Sequence, residues 1–190
     1  MSDGNRALGR PRDGDAGPAL LDAARRLVLE RGYDEVSVGM IASEAGVGRQ
    51  TLYRRWPSKA ELVLDAFFQS ASRMDIVSEG TTQEALQGFL ESLFQNLSAD
   101  GPAIRHLIAS AQSDLQFLSV FKERFVRPRA AVAMEILKRG VTSFELSTNA
   151  DLDVAIDALH GSFWYRLLQD EPLDNLFAER LSRFILAACA

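Results

Sequence analysis

The sequence has one cysteine, two histidines and no apolar run near the ~20 residues that a membrane-spanning helix needs. Each shortage removes a class of function. Cys189 has no partner for an intrachain disulfide, which fits a reducing compartment. His106 and His160 lie far apart, with no second His or Cys beside either, so no metal site is expected and no cofactor is implied. The opening residues MSDGNRALGRPRDGDAG have no apolar core of the kind a secretion signal carries, and the expected location is the cytoplasm, with no membrane partner. The GVG at 46–48 follows a helical pattern instead of a strand and has no Gly-Lys-Ser/Thr ending, so it is not a phosphate loop. No readable motif groups a nucleophile, a base and an orienting residue, and the chain is expected not to be an enzyme. No alternating strand pattern, internal repeat or low-complexity segment competes with the helical periodicity.

What is present is a 190-residue chain, 47% hydrophobic, long enough to bury one sizeable core or one core and a small satellite. Its charge is uneven. Residues 1–60 carry 10 Lys+Arg against 8 Asp+Glu, the other 130 carry 11 against 18, and the total is −5. Such asymmetry suggests one region that meets a polyanion and another that does not. The cations concentrate in GVGRQTLYRRWPSK, residues 46–59, which holds no acidic residue.

Residues 1–17, rich in Gly, Asp and Arg, are expected to form a flexible arm carrying Arg6, Arg10 and Arg12. In PALLDAARRLVLERGY, Leu20, Leu21, Ala24, Leu27 and Val28 share a helical face, with Pro18 suited to the first turn and Gly32 to the stop. Ser37 caps a second helix with Val38, Ile41, Ala42 and Ala45 inward, and Gly46 ends it. A steeply turned third helix, RQTLYRRW, stops at Pro57-Ser58, and Ser58 with Glu61 opens a fourth through a capping box. Two short helices joined by a glycine turn, after a longer one, form a helix-turn-helix, whose second member can enter a DNA major groove. Arg49, Gln50 and Thr51 fall on its first turn, within reach of base edges. Tyr53, Arg54, Arg55 and Lys59 follow, placed toward phosphates.

The segment LLDAARRLVLERGYDEVSVGMIASEAGVGRQTLYRRWPSKAELV closely resembles the DNA-binding domain of the tetracycline-repressor (TetR) family of bacterial regulators. RGYDEVSVGMIASEAGV and TLYRRWPSKAEL carry the match, over about residues 18 to 66. The resemblance implies an all-α fold with a three-helix helix-turn-helix domain at 18–66 and a helical ligand-binding and dimerisation domain at 67–190. It places phosphate contacts at Ser37, Tyr53, Arg55 and Lys59, and recognition-helix positions at Arg49, Gln50 and Thr51. Gly48 departs from the family's frequent capping Ser, and Arg55-Trp56 from its frequent His-Phe.

Beyond Ala66 the residues are read directly. Thr81 and Glu84 form a capping box before a helix whose face is Leu86, Phe89, Leu90, Leu93, Phe94 and Leu97. Gly101-Pro102 precedes a short helix, and Phe117, Leu118, Phe121 and Phe125 begin a longer one that Pro128 kinks or restarts. Two C-terminal helices present apolar stripes: Leu152, Ile156, Leu159, Phe163 and Leu167, then Leu176, Phe177, Leu181, Phe184 and Ile185. These resemble the family's dimerisation pair, which implies contacts between two copies at Ile156, Leu159, Phe163, Leu167, Phe177, Leu181, Phe184 and Ile185. The family's ligand cavity implies lining from Phe67, Phe68, Phe89, His106, Gln112, Phe117, Phe121, His160 and Trp164. From the aromatic lining and the acidic C-terminal region, an apolar or cationic effector is expected. The resulting expectation is a homodimeric repressor of a double-stranded DNA operator, released by an unknown small-molecule effector. A ligand-independent DNA-binding or scaffolding protein, and a helical enzyme acting on an anionic substrate, stay open as alternatives.

Overall fold

A computed structural model describes residues 13–68 and 80–190, and among them there are helices and no strands. The chain divides into two compact units, Met1–Ala66 and Phe67–Ala190.

The first unit is built from α1 (Asp13–Arg31), α2 (Val38–Glu44), α3 (Arg49–Arg55) and the greater part of α4 (Lys59–Phe68). Leu20, Ala23, Ala24, Leu27 and Val28 recur at helical spacing and are buried, which turns one stripe of α1 toward α2 and α3, where Ile41 and Leu52 are buried. The turn between α2 and α3 closes as a Schellman motif. Gly46, at φ +64°, takes the left-handed conformation, the Val47 N–H reaches the Ala42 carbonyl at 2.9 Å and the Gly46 N–H that of Ser43 at 3.1 Å. This reversal aims α3 away from the axis of α2. One expectation shifts here: residues 13–17 belong to α1 instead of an arm, and Pro18 stands in the second helical turn. Its missing N–H forgoes only the bond to the Gly14 carbonyl, close enough to the helix start to be tolerated. Arg6, Arg10 and Arg12 lie outside the described residues.

The second unit holds α5 (Thr82–Ala99), α6 (Gly101–Ser113), α7 (Leu115–Phe121), a π-helical turn (Lys122–Val126), α8 (Arg127–Thr142), α9 (Leu152–Leu168) and α10 (Asn175–Ala188). Helix α5 lies at the centre, packed on α6, α8 and α10, and its stripe from Leu86 to Leu97 is buried. It starts with a complete capping box: the Glu84 N–H donates to Thr81 Oγ1 at 3.2 Å, and the Thr81 N–H to Glu84 Oε2 at 2.8 Å. Phe94 of α5 meets Phe163 of α9 edge-on at 5.9 Å and stacks on Phe177 of α10 at 5.6 Å. At its start α5 approaches α8 so closely that a Cβ on Gly140 would stand 2.7 Å from Thr82 Oγ1 and 2.8 Å from Thr82 Cγ2.

The restart expected at Pro128 takes a specific form. The preceding turn widens, with the Arg127 N–H reaching back five residues to the Lys122 carbonyl. Pro128 has no N–H and its ring crowds the carbonyl four residues earlier, so a wider turn just before it relieves both problems.

Candidate nucleic-acid interface

Helix α3 is held from behind and exposed in front. Leu52 is fully buried, while Arg49, Gln50, Tyr53, Arg54 and Arg55 face solvent and Thr51 is half-buried. Its first turn has no side-chain cap, because Gly48 offers none. Its far end is fixed by Trp56, which is buried and whose indole Nε1–H donates to Asp65 Oδ2 of α4 at 2.7 Å. Here Trp56 gains a polar tie that spacing did not reveal. Asp65 is the partner that makes an indole preferable to a phenyl ring at 56.

The expected backbone contacts are individually positioned. Ser37 caps α2, its Oγ accepting from the Met40 N–H at 3.2 Å, which leaves its hydroxyl hydrogen to donate elsewhere. The Lys59 ammonium donates to the Tyr33 carbonyl at 3.0 Å and sits 3.9 Å above the Tyr33 ring, so the loop after α1 sets its position. The Arg49 guanidinium lies against Gly39 of α2, and that of Arg55 against Gly17 of α1. Ser37, Arg49, Gln50, Tyr53 and Arg55 are all exposed on this unit.

In the second unit the candidate lining separates into two sets. Phe67, Phe89, Phe117 and Phe121 are buried, Trp164 and His160 are half-buried, and Trp164 lies among the rings of Phe121, Phe125 and Phe163 at 6.2, 5.7 and 5.1 Å. His106 and Gln112, by contrast, face solvent on α6. Their apolar neighbours Leu107 and Ala111 take the inward positions of that helix, so neither polar side chain joins the ring cluster. The side chain of Phe68 lies outside the described residues.

The group that sequence reading missed is Arg129. It is 5% exposed, lies 3.7 Å from the Phe125 ring centroid and donates from Nη1 to the Phe125 carbonyl at 2.9 Å. Burial pushes its pKa down to about 10. Nearby His160 donates from Nδ1 to the Ile156 carbonyl at 2.9 Å, which leaves a buried Nε2 lone pair with no hydrogen-bond partner among the described residues. Burial lowers its pKa below the ordinary 6.5, the Ile156 bond and the Asp157 charge oppose that shift, and the Arg129 charge adds to it. Arg129 therefore sets a cationic group beside the ring cluster of this otherwise acidic region.

The faces of α9 and α10 also need reassignment. Ile156, Leu159, Phe163, Leu167, Leu181 and Ile185 are buried within the protomer and Phe177 is half-buried, so they supply the core of this unit. Phe184 alone of that set stands out, 66% exposed. The outward face of α9 is instead Val154, Ala158, Gly161, Tyr165 and Leu168, spaced four, three, four and three residues apart, with Leu176 and Phe184 exposed on α10. The physical reason is that α9 is apolar around most of its circumference: one stripe fills the core and another is left over.

Two family models match the chain, "Bacterial regulatory proteins, tetR family" over residues 20–66 and "Tetracyclin repressor-like, C-terminal domain" over residues 76–185. The uncharacterized HTH-type transcriptional regulator YdeS of Bacillus subtilis (strain 168) is 36% identical over 162 residues, covering 84% of this chain and 82% of the relative. The DNA-binding transcriptional repressor TetR of Mycobacteroides abscessus is 28% identical over 86% of this chain and 87% of its own length. Among solved structures, the transcriptional regulator FadR from Bacillus subtilis in complex with stearoyl-CoA matches with a TM-score of 0.71 over 91% of this chain and 99% of its own, at 21% identity, a likeness of fold. Among the described residues no helix is long and apolar enough to cross a membrane.

Proposed function

Because the chain belongs to the tetracycline-repressor family of transcriptional regulators, we propose that it acts as a homodimeric repressor of a palindromic operator, released when a small molecule occupies its second unit. The observation that carries this reading is α3 itself, a helix anchored by Leu52 and Trp56 that turns Arg49, Gln50, Tyr53, Arg54 and Arg55 to solvent with no acidic residue among them. The first turn, with Arg49, Gln50 and Thr51, is assigned to base edges. Ser37, Tyr53, Arg55 and Lys59 are assigned to the flanking phosphates. A two-fold dimer through the outward faces of α9 and α10 supplies the second half-site. Release requires an effector that binds the DNA-incompetent spacing of the two recognition helices better than the competent one.

The ring cluster around Trp164 and the buried guanidinium of Arg129 favour an effector with an apolar, ring-stacking body and an anionic group. A cationic head beside Arg129 meets like charge in a poorly solvated setting, whereas a carboxylate recovers part of the desolvation that Arg129 suffers. The test uses three isosteric probes, 1-naphthoate, 1-naphthalenemethanol and 1-naphthylmethylamine, read by quenching of tryptophan emission and by release of labelled operator. Naphthoate is expected to bind at least about tenfold more tightly than the amine, the difference of one charge-assisted contact. Arg129→Gln is expected to remove that preference. Equal affinity for acid and amine, or an unchanged preference in Arg129→Gln, contradicts the assignment.

A further inference from the structure

We propose that Gly39 is a positioning residue for base recognition: by lacking a side chain it forms the seat on α2 against which the Arg49 guanidinium lies. A Cβ built on Gly39 would stand 2.4 Å from Arg49 Nη2, 3.0 Å from Cζ and 3.3 Å from Nε, so three atoms of the guanidinium group press on the space that any other residue would fill. The backbone does not require glycine there. Gly39 lies inside α2 and is not among the positive-φ residues, whereas Gly32 and Gly46 are. Within a helix glycine is the least favourable residue apart from proline, so this position carries a local cost for which the contact with Arg49 is the compensation the structure offers.

The seat matters because of where it holds Arg49. This arginine is the first residue of α3, and its planar head lies over α2 beside an open groove of about 400 Å³ that Ser37, Ser43 and Glu44 also line. A guanidinium recognises a base edge through two parallel N–H donors, so its plane and direction decide whether it reads a base or swings to a phosphate. A Cβ at position 39 meets the Arg49 head before any other group. The far end of a flexible side chain is the part that moves, so the fold survives the change. This inference rests on the reading of α3 as the DNA-facing helix.

The experiment compares the wild type with Gly39→Ala, Arg49→Ala and the double variant on the operator that the wild type selects from random double-stranded DNA, and on that operator altered one base pair at a time. Gly39→Ala is expected to keep or slightly raise the melting temperature and to lower discrimination several-fold at one position per half-site. In the Arg49→Ala background the same change is expected to alter nothing. In the free protein, a nuclear Overhauser contact between the Gly39 Hα and Arg49 Hε protons is expected, and its counterpart is expected to vanish in Gly39→Ala. The proposal is overturned if the Gly39→Ala effect persists undiminished without Arg49, if the base profile of Gly39→Ala equals that of the wild type, or if the contact is absent. If Arg49→Ala leaves DNA binding unchanged while the contact is present, the DNA-facing assignment of Arg49 fails and the recognition role of Gly39 fails with it. Retained discrimination in Gly39→Ala with an effective Arg49→Ala rejects the positioning role alone.

Discussion

Gly161→Arg is expected to yield a folded protomer that no longer pairs with a second copy and no longer holds operator DNA. Gly161 lies midway along the outward face of α9, between Ala158 and Tyr165, and apart from its chain neighbours and the adjoining helix backbone a Cβ there meets nothing within 4 Å among the described residues. The substitution therefore does not crowd the protomer, and replacing glycine inside a helix favours the helix by up to about 1 kcal/mol. In a dimer closed through this face, the small residues Ala158 and Gly161 allow close approach, and Tyr165 and Phe184, 64% and 66% exposed in the protomer, supply buried area. An arginine at the centre and its symmetry mate place two like charges in a drying interface, a cost of several kcal/mol, or roughly 100-fold or more in association. Sedimentation at micromolar concentration should report a dimer for the wild type and a monomer for the variant, with unchanged helical content. Phe163→Asp makes an instructive contrast. Phe163 is fully buried against Phe94 and Trp164, so that change should unfold the unit instead of separating two intact protomers.

The second large effect belongs to Trp56. Trp56→Ala is expected to cost about 3–5 kcal/mol, the usual range for emptying a large aromatic site, and to abolish operator binding by releasing the end of α3. Trp56→Phe should retain most of the packing but lose the indole bond to the Asp65 carboxylate, 2.7 Å long, at a loss of about 1–3 kcal/mol. Asp65→Ala should cost less in the Trp56→Phe background than in the wild type, since the bond to the indole is already gone. Denaturant titration followed by circular dichroism measures each variant. A Trp56→Ala protein with native stability and undiminished DNA binding would show that α3 is held by Leu52 alone.

These two sites mark the limit of what was legible in the sequence. Local interactions were readable because spacing determines them: the Ser37 cap, the Thr81–Glu84 capping box and the left-handed Gly46 each involve residues within a few positions of one another. The all-helical character followed from the same periodicity. What spacing does not determine is the partner across the fold. Asp65 is nine residues from Trp56, and nothing in either residue announces the bond. Helix α9 is apolar on more than one side, so its pattern identifies a buried helix but not which stripe meets the core and which stays outside. Arg129 shows the same limit with charge. An arginine one residue after a proline reads as a solvated cation, yet the π-helical turn before it rotates it onto the Phe125 ring and into the ring cluster. His106 errs in the other direction, a histidine beside apolar neighbours that the helix turns outward.

The measurement that bears most directly on the central claim is selection of sequences from random double-stranded DNA by the purified protein, followed by the stoichiometry of the selected complex. A dimeric helix-turn-helix regulator predicts an enriched inverted repeat whose half-site centres are about 10–10.5 base pairs apart or a multiple of that, bound by an even number of chains in two-fold arrangement. Failure to enrich any sequence above the starting pool, or enrichment of a single asymmetric element bound by one chain, would contradict the account.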